Sequence, residues 1–362
     1  MKLRIVIIGS TGKLGIKLLN FCKKKNIDIF CITGFKNKFL LKNQSKKYDI
    51  NHSFKLSESK DRKNFKNFLI KYKVNIIYFL DYGFNSLVFA DIFLKNNSNS
   101  KIAIANKEMI IAGGETLINK ISKSNNKLIP LDSEHFSLIN SGIKSENLKK
   151  IYITASGGPF YFKKNTNLNN VKLKDVLAHP KWKMGLNNSI DSSNFINKIL
   201  EIYELSIIYK INLSKIDFLI NKEAYIHSIF ISKENIININ CFDNDMLITL
   251  ISPLLADYPN IELKPNNTFL NLNKLKLEKF YDKRFKINKY FKTLKELSSQ
   301  QQISFMILNN IAQKKYLLGE IKYNFILDFI MMNLKDINAP KNFKTLNQRI
   351  NFINTINSKY ET

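Results

Sequence analysis

Carboxylates that could bind a divalent metal ion stand at two separate places in the sequence. Asp132 and Glu134 directly follow the apolar run 128–131, and Glu201 lies in a helix-patterned stretch, three residues after Lys198. Two carboxylates at positions i and i+2 after a strand can turn toward one cation, and hard divalent ions prefer oxygen ligands. Acidic residues there could equally cap the next helix, and Glu201 could belong to an ordinary solvated ion pair. The residues alone leave both interpretations open.

A serine and two glycines that could hold an anion follow a predicted strand. The strand spans 150–154, and Ser156, Gly157 and Gly158 come shortly after it. Small residues at the end of a strand expose backbone N–H groups, and the serine adds a hydroxyl. The run therefore suits a group such as phosphate.

A helix is predicted around Lys198. Its apolar positions recur with a helical period, and we expect Ser192 or Ser193 to cap its beginning. Asn197, Lys198 and Glu201 are three to four residues apart, so an amide, an ammonium and a carboxylate share one surface of this helix.

The chain begins with the pattern of a dinucleotide-binding corner. The β-rich run 3–8 is followed by glycines at 9, 12 and 15 and by an amphipathic helix pattern over 14–22. Strand, glycine turn and helix in this order let a pyrophosphate approach the helix N-terminus. The second predicted strand, 28–33, ends without the acidic residue that binds a ribose 2′-hydroxyl, and Lys36 follows it. This pattern favours NADPH over NADH.

Further patterns indicate an α/β protein with a doubly wound parallel sheet of the Rossmann type. Strands are predicted over 74–80 and 101–105, with a helix over 86–95 between them. Asn106 and Glu108 follow at the carboxyl edge of this sheet, where ligands bind. Asn106 could instead simply cap the helix that follows.

The length and the order of elements predict several domains. We expect an NADPH-binding domain over 1–131, a central α/β catalytic domain over 132–255 with a flap near 156–186, an extended linker over 256–290 and a C-terminal helical bundle over 291–362. The extended connection is predicted from prolines at 253, 259 and 265, and the bundle from regularly spaced apolar residues.

The composition is strongly basic without a local basic cluster. Lys and Arg number 57 against 29 Asp and Glu, which gives a net charge of +28. Because lysine, asparagine and isoleucine are frequent from end to end, we attribute the charge to compositional drift and expect no nucleic-acid partner.

The sequence predicts a cytoplasmic protein that does not enter a membrane. It has three cysteines without paired spacing, a strand at the very start and no long apolar run.

Five motifs in this order resemble the 1-deoxy-D-xylulose 5-phosphate reductoisomerase family. They are GSTGKLG from Gly9, ANKE from Ala105, LDSEH from Leu131, TASGGPF from Thr154, and HPKWKMG from His179 followed by IDSSNFINKILE. Their order and spacing are far more specific than any one of them. The resemblance covers the N-terminal and central parts of the chain, and only the general architecture beyond Asn240.

The resemblance implies an NADP-dependent oxidoreductase of isoprenoid biosynthesis by the methylerythritol phosphate pathway. Such an enzyme isomerises and reduces 1-deoxy-D-xylulose 5-phosphate to 2-C-methyl-D-erythritol 4-phosphate. The implied cofactors are NADPH and Mg²⁺ or Mn²⁺, the small-molecule partner is a phosphorylated sugar, and the implied assembly is a homodimer.

The resemblance also assigns roles to single residues. The implied metal ligands are Asp132, Glu134 and Glu201. The implied catalytic residues are Lys107, Glu134, His179 and Glu201. Substrate contacts carry over to Lys107, Ser133, Glu134, Ser156, His179, Trp182, Ser192, Asn197, Lys198 and Glu201, with Trp182 and Met184 in a closing flap. Cofactor contacts carry over to Thr11, Gly12, Lys13, Leu14, Phe35, Lys36, Asn37, Asn106, Glu108 and Gly185.

The chain also departs from the family pattern. Phe35 stands where a small residue is usual, Tyr161 stands where an arginine is common, and 186–188 replace a more basic stretch. The segment 307–311 replaces an Asn-Ala-Ala-Asn-Glu pattern, and the arginine expected after 245–246 is missing. Because none of these changes removes an implied metal ligand or Lys198, we interpret them as drift that could reduce activity.

Two other functions are compatible with parts of the sequence. One is a different NADPH-dependent reductase of a small anionic substrate, which would need a cysteine nucleophile or no metal. The other is a basic, non-enzymatic binder on a decayed reductase fold. A binder would have no need to keep Asp132, Glu134 and Glu201 together with Lys107 and Lys198.

Overall fold

The computed structural model describes residues 3–179, 185–242, 246–262, 276–340 and 342–360. These residues form two compact units, which are described separately. The first contains 3–136 and 246–262, and the second contains 137–242, 276–340 and 342–360.

The first unit is built on a six-stranded parallel sheet. Its strands are β1 (Ile5–Ile8), β2 (Cys31–Gly34), β3 (His52–Lys55), β4 (Ile76–Phe79), β5 (Lys101–Ile104) and β6 (Lys127–Pro130), in the spatial order β3-β2-β1-β4-β5-β6. β1 and β4 are apolar along their length and fully buried, because helices cover both faces of a doubly wound sheet. The order reverses at β1, where such folds bind dinucleotides.

The helices that accompany this sheet alternate with the strands. They are α1 (Lys13–Lys24), α2 (Lys38–Lys47), α3 (Ser59–Lys71), α4 (Leu87–Asn96), α5 (Lys107–Lys123) and α6 (Ser133–Asn140). A later helix, α10 (Leu247–Leu255), joins the core of this unit through Leu250 and Leu254 and packs against α1. Lys101 adds a hydrogen bond from Nζ to the Pro253 carbonyl, at 2.8 Å.

The second unit contains a mixed five-stranded sheet in the order β10-β9-β7-β8-β11. The strands are β7 (Leu148–Ala155), β8 (Ile216–Ile220), β9 (Ile226–Ser232), β10 (Ile237–Cys241) and β11 (Glu278–Lys279). β7 and β8 are parallel, and the other pairs are antiparallel. Three helices follow β7 in sequence, namely α7 (Leu173–Val176), α8 (Leu186–Ser193) and α9 (Ile196–Tyr209).

The C-terminal part of the second unit is helical. It comprises α11 (Ile287–Leu294), α12 (Ser299–Leu317), a 3₁₀ turn (Tyr323–Phe325), α13 (Ile326–Leu334) and α14 (Leu346–Tyr360). α12 is the central helix, because it packs against α13, α14 and α8. None of the described helices combines the length and the apolar character needed to span a bilayer.

The predicted fold class is confirmed, with a Rossmann-like sheet, a second α/β part and a helical C-terminal region. The extended connection predicted from the prolines at 253, 259 and 265 is wrong at the first of them, because α10 runs through Pro253 to Leu255. Pro253 lacks the N–H that would bond to the Thr249 carbonyl, and Ser252 Oγ donates to that carbonyl instead, at 2.8 Å.

The linker predicted over 256–290 also contains regular structure. β11 lies within it and α11 begins at Ile287, while 263–275 fall outside the described residues. The apolar side chains of Phe285 and Ile287 are buried, which ties this stretch to the second unit. The four-part division of the chain stays a prediction.

Candidate active site

The glycine turn after β1 is closely packed against the neighbouring strand end. Gly9 has φ of +88°, and a Cβ atom there would lie 2.6 Å from the backbone nitrogen of Asp81. A Cβ atom on Gly15 would lie 2.5 Å from the Gly9 carbonyl oxygen. Only glycine fits these two positions, and α1 begins at the turn without a side-chain cap. The first N–H groups of α1 can therefore bind an anion.

The other residues of the turn that are predicted to contact the cofactor are at least partly exposed. Gly12 and Lys13 are exposed, and Thr11 and Leu14 are half-buried. After β2, Phe35 and Lys36 are also exposed. The exposed Lys36 ammonium suits an anionic group on a ribose.

Gly34 and Asn37 make close contacts at the end of β2 and at the beginning of α2. A Cβ on Gly34 would lie 2.9 Å from Thr11 Cγ2, so the turn and the end of β2 are in contact. The predicted contact residue Asn37 also has a local role, because its Oδ1 accepts a hydrogen bond from the Leu40 N–H at 2.9 Å and caps α2.

Asn106 caps α5 and also binds the loop after β4. Its Oδ1 accepts from the Met109 N–H at 2.9 Å, while its Nδ2 donates to the Gly83 carbonyl at 2.7 Å and to Asp81 Oδ1 at 3.2 Å. The capping role considered for Asn106 is therefore real. This role uses the side-chain oxygen of Asn106, and the residue still lies at the carboxyl edge of the sheet.

Sequence reasoning missed Asp81, which directly follows β4 and Leu80. Burial raises the pKa of its carboxyl to about 6, although hydrogen bonds from Ser86 and Asn106 oppose the shift. Burial is also the main cause of the raised pKa of Glu108, and the Asp81 charge adds to it. An acidic residue directly after an apolar strand, at the same sheet edge as Asn106, was the available signal.

A carboxylate cluster forms at the ends of β5 and β6, which are neighbours in the sheet. Lys107 Nζ lies 3.0 Å from Asp132 Oδ2. Ser133 Oγ donates to Glu134 Oε2. Lys107, Ser133 and Glu134 are buried, whereas Asp132 is partly exposed. The first unit therefore brings four predicted site residues to one sheet edge.

The second unit contains a group of residues predicted to bind an anion, which begins at the end of β7. This group is called the anion cluster and consists of Ser156, His179, Ser192, Asn197 and Lys198. Ser156 Oγ lies 3.2 Å from His179 Nε2, within hydrogen-bond distance. Gly158 has φ of +58°, and a Cβ atom there would lie 2.9 Å from the Ser192 carbonyl oxygen. The serine-glycine loop therefore packs directly on the backbone of Ser192, so Ser156, His179 and Ser192 lie in one region.

His179 is uncharged near neutral pH. Burial is the main cause that lowers the pKa of its imidazole to about 4, and the positive charge of Lys198 lowers it further. A neutral imidazole can donate one hydrogen bond and accept another. The neutral imidazole can therefore orient an anion through a hydrogen bond, but it does not supply a positive charge to balance the charge of the anion.

The polar face of α9 is buried rather than solvated. Lys198 Nζ donates to Glu201 Oε2 at 2.5 Å, and Asn197 Nδ2 donates to Glu201 Oε1. Lys198 is 9% exposed and Glu201 is 2% exposed. The alternative of an ordinary solvated ion pair is therefore wrong for this helix.

The predicted serine cap of this helix is wrong. α8 ends at Ser193, and Phe195, with φ of +67°, turns the chain before α9 begins at Ile196. Asn194 Oδ1 accepts a hydrogen bond from the Ile196 N–H at 3.0 Å and so takes over the role of a cap. Ser192 is thereby left half-buried at the end of α8.

The flap residues are only partly covered by the structure. Gly185 is exposed and directly precedes α8 as its N-cap residue. Trp182 and Met184 lie outside the described residues.

Arg284 is a second residue that sequence reasoning missed. Its guanidinium donates to four backbone carbonyls of one loop and to the Asp282 carboxylate. The four carbonyls are those of Phe160, Tyr161, Lys163 and Thr166, at 2.8 to 3.4 Å. Tyr161, which stands where the family often has an arginine, packs its ring near Phe280. Arg284 therefore secures the loop that continues from the anion cluster, and nothing local in the sequence signals this.

Comparison with known proteins gives a consistent result. A family model described as the 1-deoxy-D-xylulose 5-phosphate reductoisomerase C-terminal domain matches residues 128–209. The 1-deoxy-D-xylulose 5-phosphate reductoisomerase of Pelagibacter ubique is 32% identical over 370 residues, which cover 96% of this chain and 94% of the relative. The enzyme of that name from Pseudothermotoga lettingae is also 32% identical and covers 89% of this chain and 88% of its own length.

Solved structures agree on the fold. The Zymomonas mobilis 1-deoxy-D-xylulose 5-phosphate reductoisomerase in complex with NADPH matches with a TM-score of 0.84 at 20% identity, over 100% of this chain and 98% of that one. A DOX-P reductoisomerase in complex with NADPH, fosmidomycin and magnesium matches with a TM-score of 0.85 at 21% identity, over 99% and 96% of the two chains.

Proposed function

Because the chain belongs to the 1-deoxy-D-xylulose 5-phosphate reductoisomerase family, we propose that it isomerises and reduces 1-deoxy-D-xylulose 5-phosphate to 2-C-methyl-D-erythritol 4-phosphate with NADPH and a divalent metal. The observation that carries the proposal is the anion cluster, in which Ser156 Oγ lies 3.2 Å from His179 Nε2. The charge of the buried Lys198 also lowers the pKa of this imidazole. This arrangement suits a phosphorylated substrate.

The first unit would bind NADPH, which supplies the hydride. The glycine turn fits a diphosphate because Gly9 and Gly15 leave no room for side chains and the N-terminus of α1 is open. Thr11, Gly12, Lys13 and Leu14 would contact it there. Phe35, Lys36 and Asn37 would contact the adenosine ribose and its phosphate. Asn106, Glu108 and Gly185 complete the proposed cofactor residues.

A divalent metal fits the chemistry of the carboxylates. Asp132, Glu134 and Glu201 would be its ligands, since oxygen donors of this kind suit Mg²⁺ and Mn²⁺. When bound, the metal supplies a Lewis acid for the substrate oxygens. Lys107 Nζ lies 3.0 Å from Asp132 Oδ2, so the ammonium can orient this carboxylate.

The anion cluster would hold the phosphate end of the substrate. Lys198 provides the fixed positive charge, and Ser156, Ser192 and Asn197 provide neutral hydrogen-bond groups. His179, being neutral near pH 7, would donate a hydrogen bond. Lys107, Ser133 and Glu134 would contact the opposite end of the substrate, where the chemistry occurs.

Three further points of the proposal concern closure, assembly and location. We expect the segment that carries Trp182 to close over the substrate and exclude water from hydride transfer. Trp182 is the only tryptophan in the sequence, so its fluorescence should change when a substrate analogue binds.

We also expect a homodimer in the cytoplasm, with neither a nucleic acid nor a membrane as partner.

A turnover assay tests the proposed function. Purified protein should oxidise NADPH only when both 1-deoxy-D-xylulose 5-phosphate and Mn²⁺ are present, a chelator should stop the reaction, and NADH should be a poor substitute. Glu201→Gln should abolish turnover, whereas Glu146→Gln, which changes an exposed carboxylate, should not. Folded protein without metal-dependent turnover would contradict the proposal and favour another reductase or a non-enzymatic binder.

A further inference from the structure

Neighbouring residues at the end of α8 differ in burial. Asp191 and Ser193 are 1% and 0% exposed, whereas Ser192 between them is half-buried. The three residues therefore have different surroundings. The two buried residues bind the C-terminal helices, and Ser192 is left in the anion cluster.

Asp191 makes three amide hydrogen bonds to α12. Asn309 Nδ2 donates to Asp191 Oδ1 at 2.9 Å and to Oδ2 at 3.1 Å, and Gln313 Nε2 donates to Oδ1. Both amide residues are 1% exposed and lie one turn apart on the same face of α12. These bonds join residues more than a hundred positions apart in sequence.

The side-chain amides of Asn309 and Gln313 direct their nitrogen atoms at Asp191, and their oxygen atoms are left without a hydrogen bond. Asn309 Oδ1 and Gln313 Oε1 are buried and have no hydrogen-bond partner among the residues that the structure describes. A buried acceptor without a hydrogen bond costs free energy. Two such acceptors on neighbouring side chains are therefore expected only where the amide donors form strong hydrogen bonds, as they do here with the carboxylate. The amide orientation is set by the carboxylate, since a flipped amide would place oxygen against oxygen.

Ser193 provides a second attachment to the same helical region. Its Oγ donates to the Ile190 carbonyl at 2.6 Å and lies 2.9 Å from the Tyr323 hydroxyl. Tyr323 is buried just before α13. The residues on both sides of Ser192 are thus fixed by the C-terminal helices.

We propose that Asp191 is a positioning residue, which holds Ser192 and the serine-glycine loop in place for the substrate phosphate through its bonds to Asn309 and Gln313. The inference rests on the proposed function for the identity of the anion. The link to the loop is the close packing of Gly158, whose Cβ position is 2.9 Å from the Ser192 carbonyl oxygen. The segment at 307–311 that departs from the family pattern therefore supplies Asn309 as a structural partner.

Variants of the amide-carboxylate pair test this role in the full-length protein. Asp191→Asn removes the charge and replaces one of the two acceptor oxygens by an NH2 group, which opposes the amide donors of Asn309 and Gln313. A contact group that is misplaced as a result can cost about tenfold or more. We therefore expect the KM for 1-deoxy-D-xylulose 5-phosphate to rise about tenfold, with the KM for NADPH unchanged. Protection against thermal unfolding by inorganic phosphate should weaken in parallel.

An exchange of the two groups provides the rescue. Asp191→Asn combined with Asn309→Asp restores one carboxylate and one amide at the contact, so phosphate protection should largely return. The matched control pairs Asp191→Asn with Asn310→Asp, at the next position of α12, and should not restore it. If Asp191→Asn does not fold, Asn309→Ala keeps Gln313 as a donor and should show an intermediate loss.

The outcomes separate this inference from the proposed function. Phosphate protection and NADPH binding need no turnover, so they report on Asp191 even if the enzyme reaction is absent. A folded Asp191→Asn protein that is less stable but keeps wild-type phosphate protection would overturn the inference and assign Asp191 a purely structural role. Equal rescue by Asn309→Asp and Asn310→Asp would overturn it as well.

Discussion

Lys198 and Glu201 form a buried ion pair within one turn of α9, with Nζ 2.5 Å from Oε2. The pair joins the two tasks assigned to this helix, because Lys198 is the proposed phosphate cation and Glu201 a proposed metal ligand. Asn197 donates to the other carboxylate oxygen, so both oxygens of Glu201 are oriented before any ligand arrives.

Removal of the Lys198 ammonium should destabilise the protein strongly. Lys198→Met leaves the Glu201 carboxylate buried with one partner fewer, and breaking a buried pair costs about 3 kcal/mol or more. Denaturant unfolding at neutral pH measures the loss. Lys315→Met, which breaks the more exposed pair with Glu320, is the control and should cost less than about 1 kcal/mol. Equal losses in the two variants would contradict the burial argument.

The stability of the protein should fall between pH 6.5 and 4 in part because of His179. Its folded pKa is about 4, and its unfolded pKa is about 6.5, so the unfolded chain takes up the proton first as the pH falls. His179→Gln should make stability less dependent on pH in this interval. NMR titration of the wild-type imidazole should give a pKa below 5, and a value near 6.5 would contradict the assigned environment.

Asp81 should have the opposite effect on pH dependence. Its folded pKa of about 6 lies above the unfolded value of about 3.9, so stability present at low pH is lost as the pH rises toward 6. Asp81→Asn should therefore stabilise the protein more at pH 7.5 than at pH 4. Thermal unfolding at both pH values measures the difference, with the exposed Asp336→Asn as control. A stabilisation that is the same at both values would refute the shift.

Arg284 should be poorly replaced by lysine. Lysine keeps the charge but lacks the planar fork that reaches several carbonyls at once, so Arg284→Lys should cost about 2 kcal/mol or more. Hydrogen exchange should rise in the loop over 160–166. Arg62→Lys, which removes the single Nε bond to the Leu56 carbonyl, is the matched control and should have a smaller effect. Unchanged exchange in the loop would show that Arg284 does not secure it.

Local patterns predicted the fold well where local interactions decide it. The glycine turn, β1 and α1 follow from residues close together in sequence, and the family resemblance drawn from five motifs is confirmed by the relatives. The turn at Phe195 was missed because bulky residues rarely adopt a positive φ, and tertiary packing imposes it here. The bonds from α12 to Asp191 and from Arg284 to the loop over 160–166 were missed because they join residues more than a hundred positions apart.

The carbon skeleton of the product tests the central claim most directly. Protein supplied with ¹³C-labelled 1-deoxy-D-xylulose 5-phosphate, Mn²⁺ and NADPH should form a branched product, in which carbon NMR shows a new carbon–carbon bond. One NADPH should be oxidised per molecule formed. An unbranched reduced product would identify a simple reductase, and it would contradict the proposed reductoisomerase reaction.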